Sequence, residues 1–197
     1  LFRSKIIDYA EKLHKGILTI SAVESKKNEF EFNQDALKPL IEKWKKSFDL
    51  DFGGMARAPK FMMPNNYRFL LRYGFQNKDA ELLDFVNLTL TKMAYGGLFD
   101  TIDGGFSRYS VDIKWHVPHF EKMLYDNGLL LKLYAEVLLT ENLSTEKVLT
   151  ENQRSLFLNT LKETTDYILR DMTSSSGLFY ASEDADSEGE EGKFYVW

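Results

Sequence analysis

The chain has 197 residues, 44% apolar and 14% aromatic, a net charge of −5 and no cysteine. That is material for one domain or two, able to bury roughly 70% of the unfolded surface. The acidic balance argues against the basic stripe of a nucleic-acid binder, no apolar run approaches the about 18 residues of a membrane helix, and the missing cysteines exclude disulfides and thiolate sites within these residues.

No secretory signal pattern is present, which leaves the cytoplasm as the default compartment. The sequons Asn87-Leu88-Thr89 and Asn142-Leu143-Ser144 are then chance matches. The chain opens with Leu1 already in a helical pattern and stops at Trp197 in a strand-like run, so a fragment or processed chain is expected.

From Leu1 to about Ile17, the residues Ile6, Tyr9, Ala10, Leu13 and Ile17 recur at helical spacing. Gly16 suggests the end, and His14 reads as a solvated or structural histidine. Ser21 to Glu31 is polar and reads as a linker. Asn33 to Phe48 predicts a second helix on Leu37, Leu40, Ile41, Trp44 and Phe48, with Pro39 near its first turn. Phe48 to Pro64 is rich in Gly, Pro and Met and cannot be regular. Gly53-Gly54 lacks the context of a phosphate loop. The stretch reads either as a turn over the core or as a pocket wall with Arg57 and Lys60 as ligands.

Pro64 suits the first turn of a third helix, with Gly74 closing it. Asn77 is placed to cap a fourth, whose stripe is Leu82, Val86, Leu90 and Met93, ended by Gly96. The short link implies an antiparallel hairpin. Pro118 is read as the start of a fifth helix to about Leu139, apolar on most sides, with Gly128 marking close approach of another backbone. Thr140 to Leu149 is a polar linker. Thr150 and Gln153 form a capping box for a sixth helix, with Leu158, Leu161, Thr165, Ile168 and Met172 facing inward. Gly177–Ala181 and Lys193–Trp197 read as two short strands around the acidic segment Ser182–Gly192. Helix pairs separated by loops are in keeping with an α-helical toroid or solenoid.

The chemistry concentrates between Gly96 and Asn127, where two glycine pairs and Asp100, Asp103, Arg108, Asp112, Glu121 and Asp126 interleave with Phe99, Phe106, Tyr109, Trp115, Phe120 and Tyr125, and where His116 and His119 lie. With a helix starting at Pro118, the positive end of its dipole would favour ionised Glu121 and keep either imidazole neutral, ready to move a proton. His116-x-x-His119 lacks a third ligand, so no metal is expected, and nothing implies a cofactor. Asp184, Asp186 and Glu188 begin like an EF-hand loop, but Tyr195 stands where the bidentate Glu belongs. Three readings stay open for Glu183, Asp184, Asp186, Glu188, Glu190 and Glu191: a weak calcium loop, a solvated acidic turn, or one or two carboxylates pointing into a cavity, where burial would make them proton donors. Aromatic faces with carboxylates and Arg108 suit a polyhydroxylated ligand.

The segments FGGMARAPKF (52–61), GGLFDTIDGGFSRYSVDIKWHVPHFEKMLYDN (96–127) and FYASEDADSEGEEGKFYVW (179–197) resemble the spermatogenesis-associated, thioredoxin-domain-containing protein family. The resemblance implies an all-α fold: an incomplete (α/α)6 toroid similar to N-acylglucosamine 2-epimerases and six-hairpin glycosidases, with a short β-hairpin near the C-terminus. Residues 1–31 would be the connecting helix and linker, and 32–197 the first half of the toroid. The family's thioredoxin-like domain and the second half of the toroid are missing partners, and an isolated half would tend to self-associate.

Three functions follow as expectations. One is a sugar epimerase or isomerase with His116 or His119 moving a proton, Glu121 or Asp184 assisting and Arg108 stabilising charge. Lys60, Asp100, Trp115, Glu183 and Asp186 would line its substrate site. Another is a glycoside hydrolase pairing Asp100 or Glu121 with Asp184 or Asp186. The last is a non-catalytic binding module. The carbohydrate readings require the loops at Phe52–Phe61, Gly96–Pro118 and Ser182–Gly192 to gather at one mouth.

Overall fold

Six α-helices carry the described residues, 2–21, 34–143 and 148–196, of this computed structural model. They are α1 (Phe2–Ser21), α2 (Leu37–Lys45), α3 (Pro64–Asn77), α4 (Ala80–Tyr95), α5 (Leu124–Leu143) and α6 (Glu151–Arg170). Residues 22–31 of the expected linker lie outside them, as does the expected strand end at Trp197. None of these helices is long and apolar enough to cross a membrane. The chain divides into two units, residues 1–41 and 42–197. In the first, α1 continues past Gly16 to Ser21, and Ile6, Tyr9, Leu13 and Ile17 are exposed.

In the second unit, Pro64 fills the first turn of α3 as its fixed φ favours. The helix outruns Gly74 and stops when Lys78 turns left-handed at φ 53° and donates its amide to the carbonyls of Gly74 and Phe75. Gly74 is there for packing: a Cβ would lie 3.1 Å from the Leu82 Cβ. Asp79, not Asn77, caps α4 by accepting from the Leu82 amide. A two-residue link leaves α3 and α4 antiparallel and in contact, with Leu82, Val86, Leu90 and Met93 buried.

Helix α5 packs on both α3 and α6. Its Tyr134 ring lies between Phe106 at 5.8 Å and Phe157 at 5.1 Å, and its hydroxyl donates to the Leu90 carbonyl. A Cβ on Gly128 would meet nothing within 4 Å, so the expected close backbone approach is absent. The capping box of Thr150 and Gln153 forms as read. The inward face of α6 is Phe157, Thr160, Thr164, Tyr167 and Ile168, while Leu158 and Thr165 are exposed. The broad rings of Phe157 and Tyr167, separated by small threonines, set that phase.

Among the described residues, seven two-residue strands knit the loops together. β1 (Lys60–Phe61), β2 (Tyr109–Ser110) and β3 (Pro118–His119) form an antiparallel sheet, with Lys60 opposite Ser110 and Tyr109 opposite His119. β4 (Lys122–Met123) pairs with β5 (Ser182–Glu183), setting Lys122 opposite Glu183. Residues 118–119 and 122–123 therefore pair as strands, and α5 begins at Leu124 rather than Pro118. The C-terminal hairpin also differs from expectation: it joins β6 (Asp186–Ser187) to β7 (Glu190–Glu191). Glu188 at φ 55° and Gly189 at φ 82° supply the two left-handed residues of a tight hairpin turn. Lys193 to Tyr195 are turn, not strand.

Candidate functional site

The three irregular segments are joined pairwise, the first to the central loop through β1–β2–β3 and the acidic one to residues 122–123 through β4–β5, but none of the clefts described below is lined by all three, so the expected single mouth does not form. The central loop is held by its glycines. Gly104 and Gly105 both sit at φ 81°, and a Cβ on Gly104 would fall 2.4 Å from the Glu163 carbonyl oxygen of α6. Further along, the Asp112 carboxylate accepts from the amides of Lys114, His116 and Val117. Burial would raise that carboxyl, but the three amides outweigh it and hold it below the ordinary aspartate value. This clamp fixes the turn that carries Trp115 and His116.

Beneath the loop runs one polar network. The Lys122 ammonium donates to Asp100 Oδ2 at 2.8 Å and to the Gly104 carbonyl at 3.0 Å. It lies 4.5 Å over the Tyr167 ring and 5.2 Å from that of Tyr195. Tyr167 in turn donates its hydroxyl to Glu183 at 2.7 Å. Burial alone would raise the Asp100 carboxyl, yet Lys122 and the amides of Asp103 and Ile102 hold it low. Burial, reinforced by the acceptor Glu183, keeps Tyr167 protonated.

Two clefts flank the Arg108–Glu121 pair, which is joined at 2.9 Å between side chains and at 2.8 Å between backbones. The first, about 730 Å³, is lined by Phe99, Asp100, Asp103, Ser107, Phe120 and Tyr195. The second, about 460 Å³, is lined by Phe61, Met63, Asn66, Arg108, Tyr125 and Asp126. Successive residues on this extended backbone face opposite sides, so Ser107 looks into one cleft and Arg108 into the other. Glu121 holds Arg108 protonated.

Asp126 is the one strongly perturbed acid here. It is 9% exposed, and burial pushes its carboxyl up to about 6, against the opposing hydrogen bond from Tyr125 and charge of Arg108. Glu121 adds a smaller push in the same upward direction.

The remaining sequence candidates divide sharply. Lys60 is fully buried against Asp49 at 2.6 Å and the Gly53 carbonyl, which makes it a structural cation rather than an open ligand. Trp115 is 0% exposed, with its indole donating to the Phe52 carbonyl, so it offers no platform to a ligand. His116 is exposed on the Asp112 turn. His119 sits in β3, not in a helical first turn; it stacks on Tyr109 at 4.9 Å, with Nε2 3.5 Å from Glu191 and Nδ1 buried without a hydrogen-bond partner. Glu121 likewise precedes α5. The helix dipole invoked from sequence therefore does not act on these groups as expected. Asp184 and Asp186 line a third, smaller cleft with Ser187 and Tyr195, and Asp184 accepts the Asp186 amide within its own turn. Among the described residues, no three acids or histidines are grouped to hold a metal ion.

The sequence reading placed Tyr125 and Asp126 in the dense run of acids and aromatics but gave neither a role, and it gave none to Lys122, Tyr167 or Tyr195. The misplaced start of α5 contributed, because it put Lys122 within a helix and Asp126 in its third turn.

No protein-family model matches the chain. It is 38% identical over 160 residues to human spermatogenesis-associated protein 20, covering 76% of this chain and 19% of that protein. The mouse protein of the same name is 37% identical over the same length. An uncharacterised protein of Caenorhabditis elegans is 32% identical over 192 residues, which is 92% of this chain and 25% of the relative. The chain thus spans about a fifth to a quarter of the length of the relatives it matches. Among solved structures, a sugar epimerase from a ruminal bacterium superimposes with a TM-score of 0.54 at 16% identity, over 74% of this chain and 37% of that one. At that identity the likeness concerns the fold alone. On its sequence matches, the chain belongs to the family of spermatogenesis-associated protein 20.

Proposed function

We propose that the chain forms the first half of an (α/α)6 toroid whose loop end is directed at carbohydrates, and that the reaction is epimerisation or isomerisation. The fold shared with a sugar epimerase is one support. The observation that carries the reading is the Arg108 guanidinium in the second cleft, fixed by Glu121 and faced by aromatic and amide side chains. A cleft of about 460 Å³ lies in the range of small-molecule sites. The adjoining cleft adds Phe99, Phe120 and Tyr195 as flat surfaces beside Asp103 and Ser107.

The same guanidinium separates the two catalytic readings. An enolate oxygen developing negative charge is stabilised by a fixed cation. The oxocarbenium-like transition state of glycoside hydrolysis is positively charged and would be repelled by it. Both carboxylates offered as the first member of the pair are committed, Glu121 to Arg108 and Asp100 to Lys122. Hydrolysis is therefore the less favoured alternative, and a non-catalytic binding module stands as the outcome if no turnover is found.

The test is solvent deuterium exchange into a panel of aldoses and ketoses by the full-length protein, followed by NMR, with binding of the same sugars measured in parallel. Exchange at the carbon next to the carbonyl is expected. Binding without exchange would reduce the site to a ligand module, and no binding of any sugar would refute the carbohydrate reading.

A further inference from the structure

We infer that Asp126 is the group that moves the proton, acting alone on one face of an open-chain sugar, so that the chemistry is aldose–ketose isomerisation. This rests on the carbohydrate reading above. Three features place Asp126 in the role. It is nine-tenths buried, yet its side chain borders the same cleft as Arg108. It stands in the first turn of α5, on a rigid element rather than a loop. Burial pushes its carboxyl up to about 6, toward the range where a group both takes and returns a proton efficiently.

The charged and titratable groups facing it are few. Arg108 comes from the central loop, Glu121 from the segment before β4 and Tyr125 from α5 itself. Helix α3 contributes Pro64, Asn65 and Asn66 to the cleft lining and no charged residue. No second acid or imidazole lines this cleft among the described residues. A two-base epimerase needs proton donors on both faces of the carbon; this cleft supplies one.

The step balances without a co-reactant. Ionised Asp126 takes the proton from C2 of the aldose. The C–H electron pair forms the C1=C2 bond, and the carbonyl pair moves to O1, whose negative charge Arg108 neutralises. The O2 hydroxyl proton passes to O1, the C2=O2 carbonyl forms, and C1 recovers the proton from Asp126. Tyr125, beside both groups, orients the carboxyl.

The experiment uses full-length wild type, Asp126→Asn, Asp126→Glu and Arg108→Lys, with thermal melts confirming each fold. The panel sugars that bind wild type are followed for binding, for deuterium exchange and for the aldose-to-ketose ratio. For Asp126→Asn, exchange should fall by about 10²–10⁴-fold while sugar binding changes by less than about 3-fold. The wild-type rate should climb with pH and level off above about 6, and Asp126→Glu should restore part of the rate with a displaced pH limb. Arg108→Lys keeps the charge but replaces the planar guanidinium by a point charge, so exchange should fall with binding largely kept. Sugar binding with exchange undiminished in Asp126→Asn would overturn the inference and leave the carbohydrate reading standing. Epimer formation without ketose would overturn it as well. Failure of every sugar to bind wild type would instead sink the underlying reading.

Discussion

The Lys122 ammonium and the Asp100 carboxylate meet at 2.8 Å with side chains only 2% and 15% exposed, tying the start of the central loop to the strand that leads into α5. A pair this buried does little for stability compared with a well-packed apolar substitute, but removing one partner strands the other charge. Lys122→Met is therefore expected to cost about 3–5 kcal/mol in urea unfolding at pH 7. The double variant Lys122→Met with Asp100→Asn should recover part of that loss. An equal loss in both variants would mean that the two charges are not coupled.

The pH dependence of this network has a definite sign. Asp100 titrates below its ordinary value when folded, because Lys122 and two amides outweigh burial. The stability it contributes is present above the unfolded aspartate value of about 3.9 and disappears as pH falls through the lower folded value. Acid unfolding should steepen below about pH 4, and that steepening should vanish in Asp100→Asn. Unchanged acid curves for the two proteins would contradict the argument.

Glycines offer a contrast within one chain. Gly104→Ala forces a Cβ to 2.4 Å from the Glu163 carbonyl at φ 81°. Gly177→Ala has the same φ but meets nothing within 4 Å. The former should lose more than about 3 kcal/mol and loosen the loop from α6, the latter roughly 1–2 kcal/mol. Gly128→Ala, in a helix with open space around it, should gain about 0.5–1 kcal/mol. Chemical denaturation of the three variants checks the order.

These cases show what was legible in the sequence. The stripe of α4, the capping box of α6 and Pro64 at the head of α3 rest on local rules, and each appears as read. The irregularity of the three loops was also readable, because their Gly, Pro and aromatic content fits no regular element, but their opening onto one shared mouth was not borne out: the acids of 182–192 border a different cleft from Arg108. The start of α5 was not legible. Pro118 suits a helical first turn and a strand edge equally, and what decides is the pairing of Tyr109 with His119 and of Lys122 with Glu183, partners 10 and 61 residues apart. Tertiary partners likewise turned Lys60 and Trp115 from expected ligands into buried struts, Lys60 held by Asp49 and Trp115 by the Phe52 carbonyl. Asp126 stood in the dense run, but its burial could not be read there, because it depends on residues of α3 and the central loop that share its cleft.

Asp126 itself should cost the protein stability. Its folded value, about 6, stands above the 3.8 of an ordinary aspartate. Whatever stability the neutral carboxyl contributes is fully present below the unfolded value and is lost as pH rises through about 6, where a nearly buried charge must form. Asp126→Asn keeps the shape and removes the titration. The variant should match wild type near pH 4 and exceed it by roughly 1–3 kcal/mol at pH 8, since a tenfold change in proton affinity between folded and unfolded chains is worth about 1.4 kcal/mol. Urea titrations at the two pH values test this. A gain at pH 8 together with lost exchange would mark a carboxyl kept for chemistry at the expense of stability. A variant less stable than wild type at pH 8 would show that the ionised carboxylate is instead held by Tyr125 and Arg108 as a structural anion.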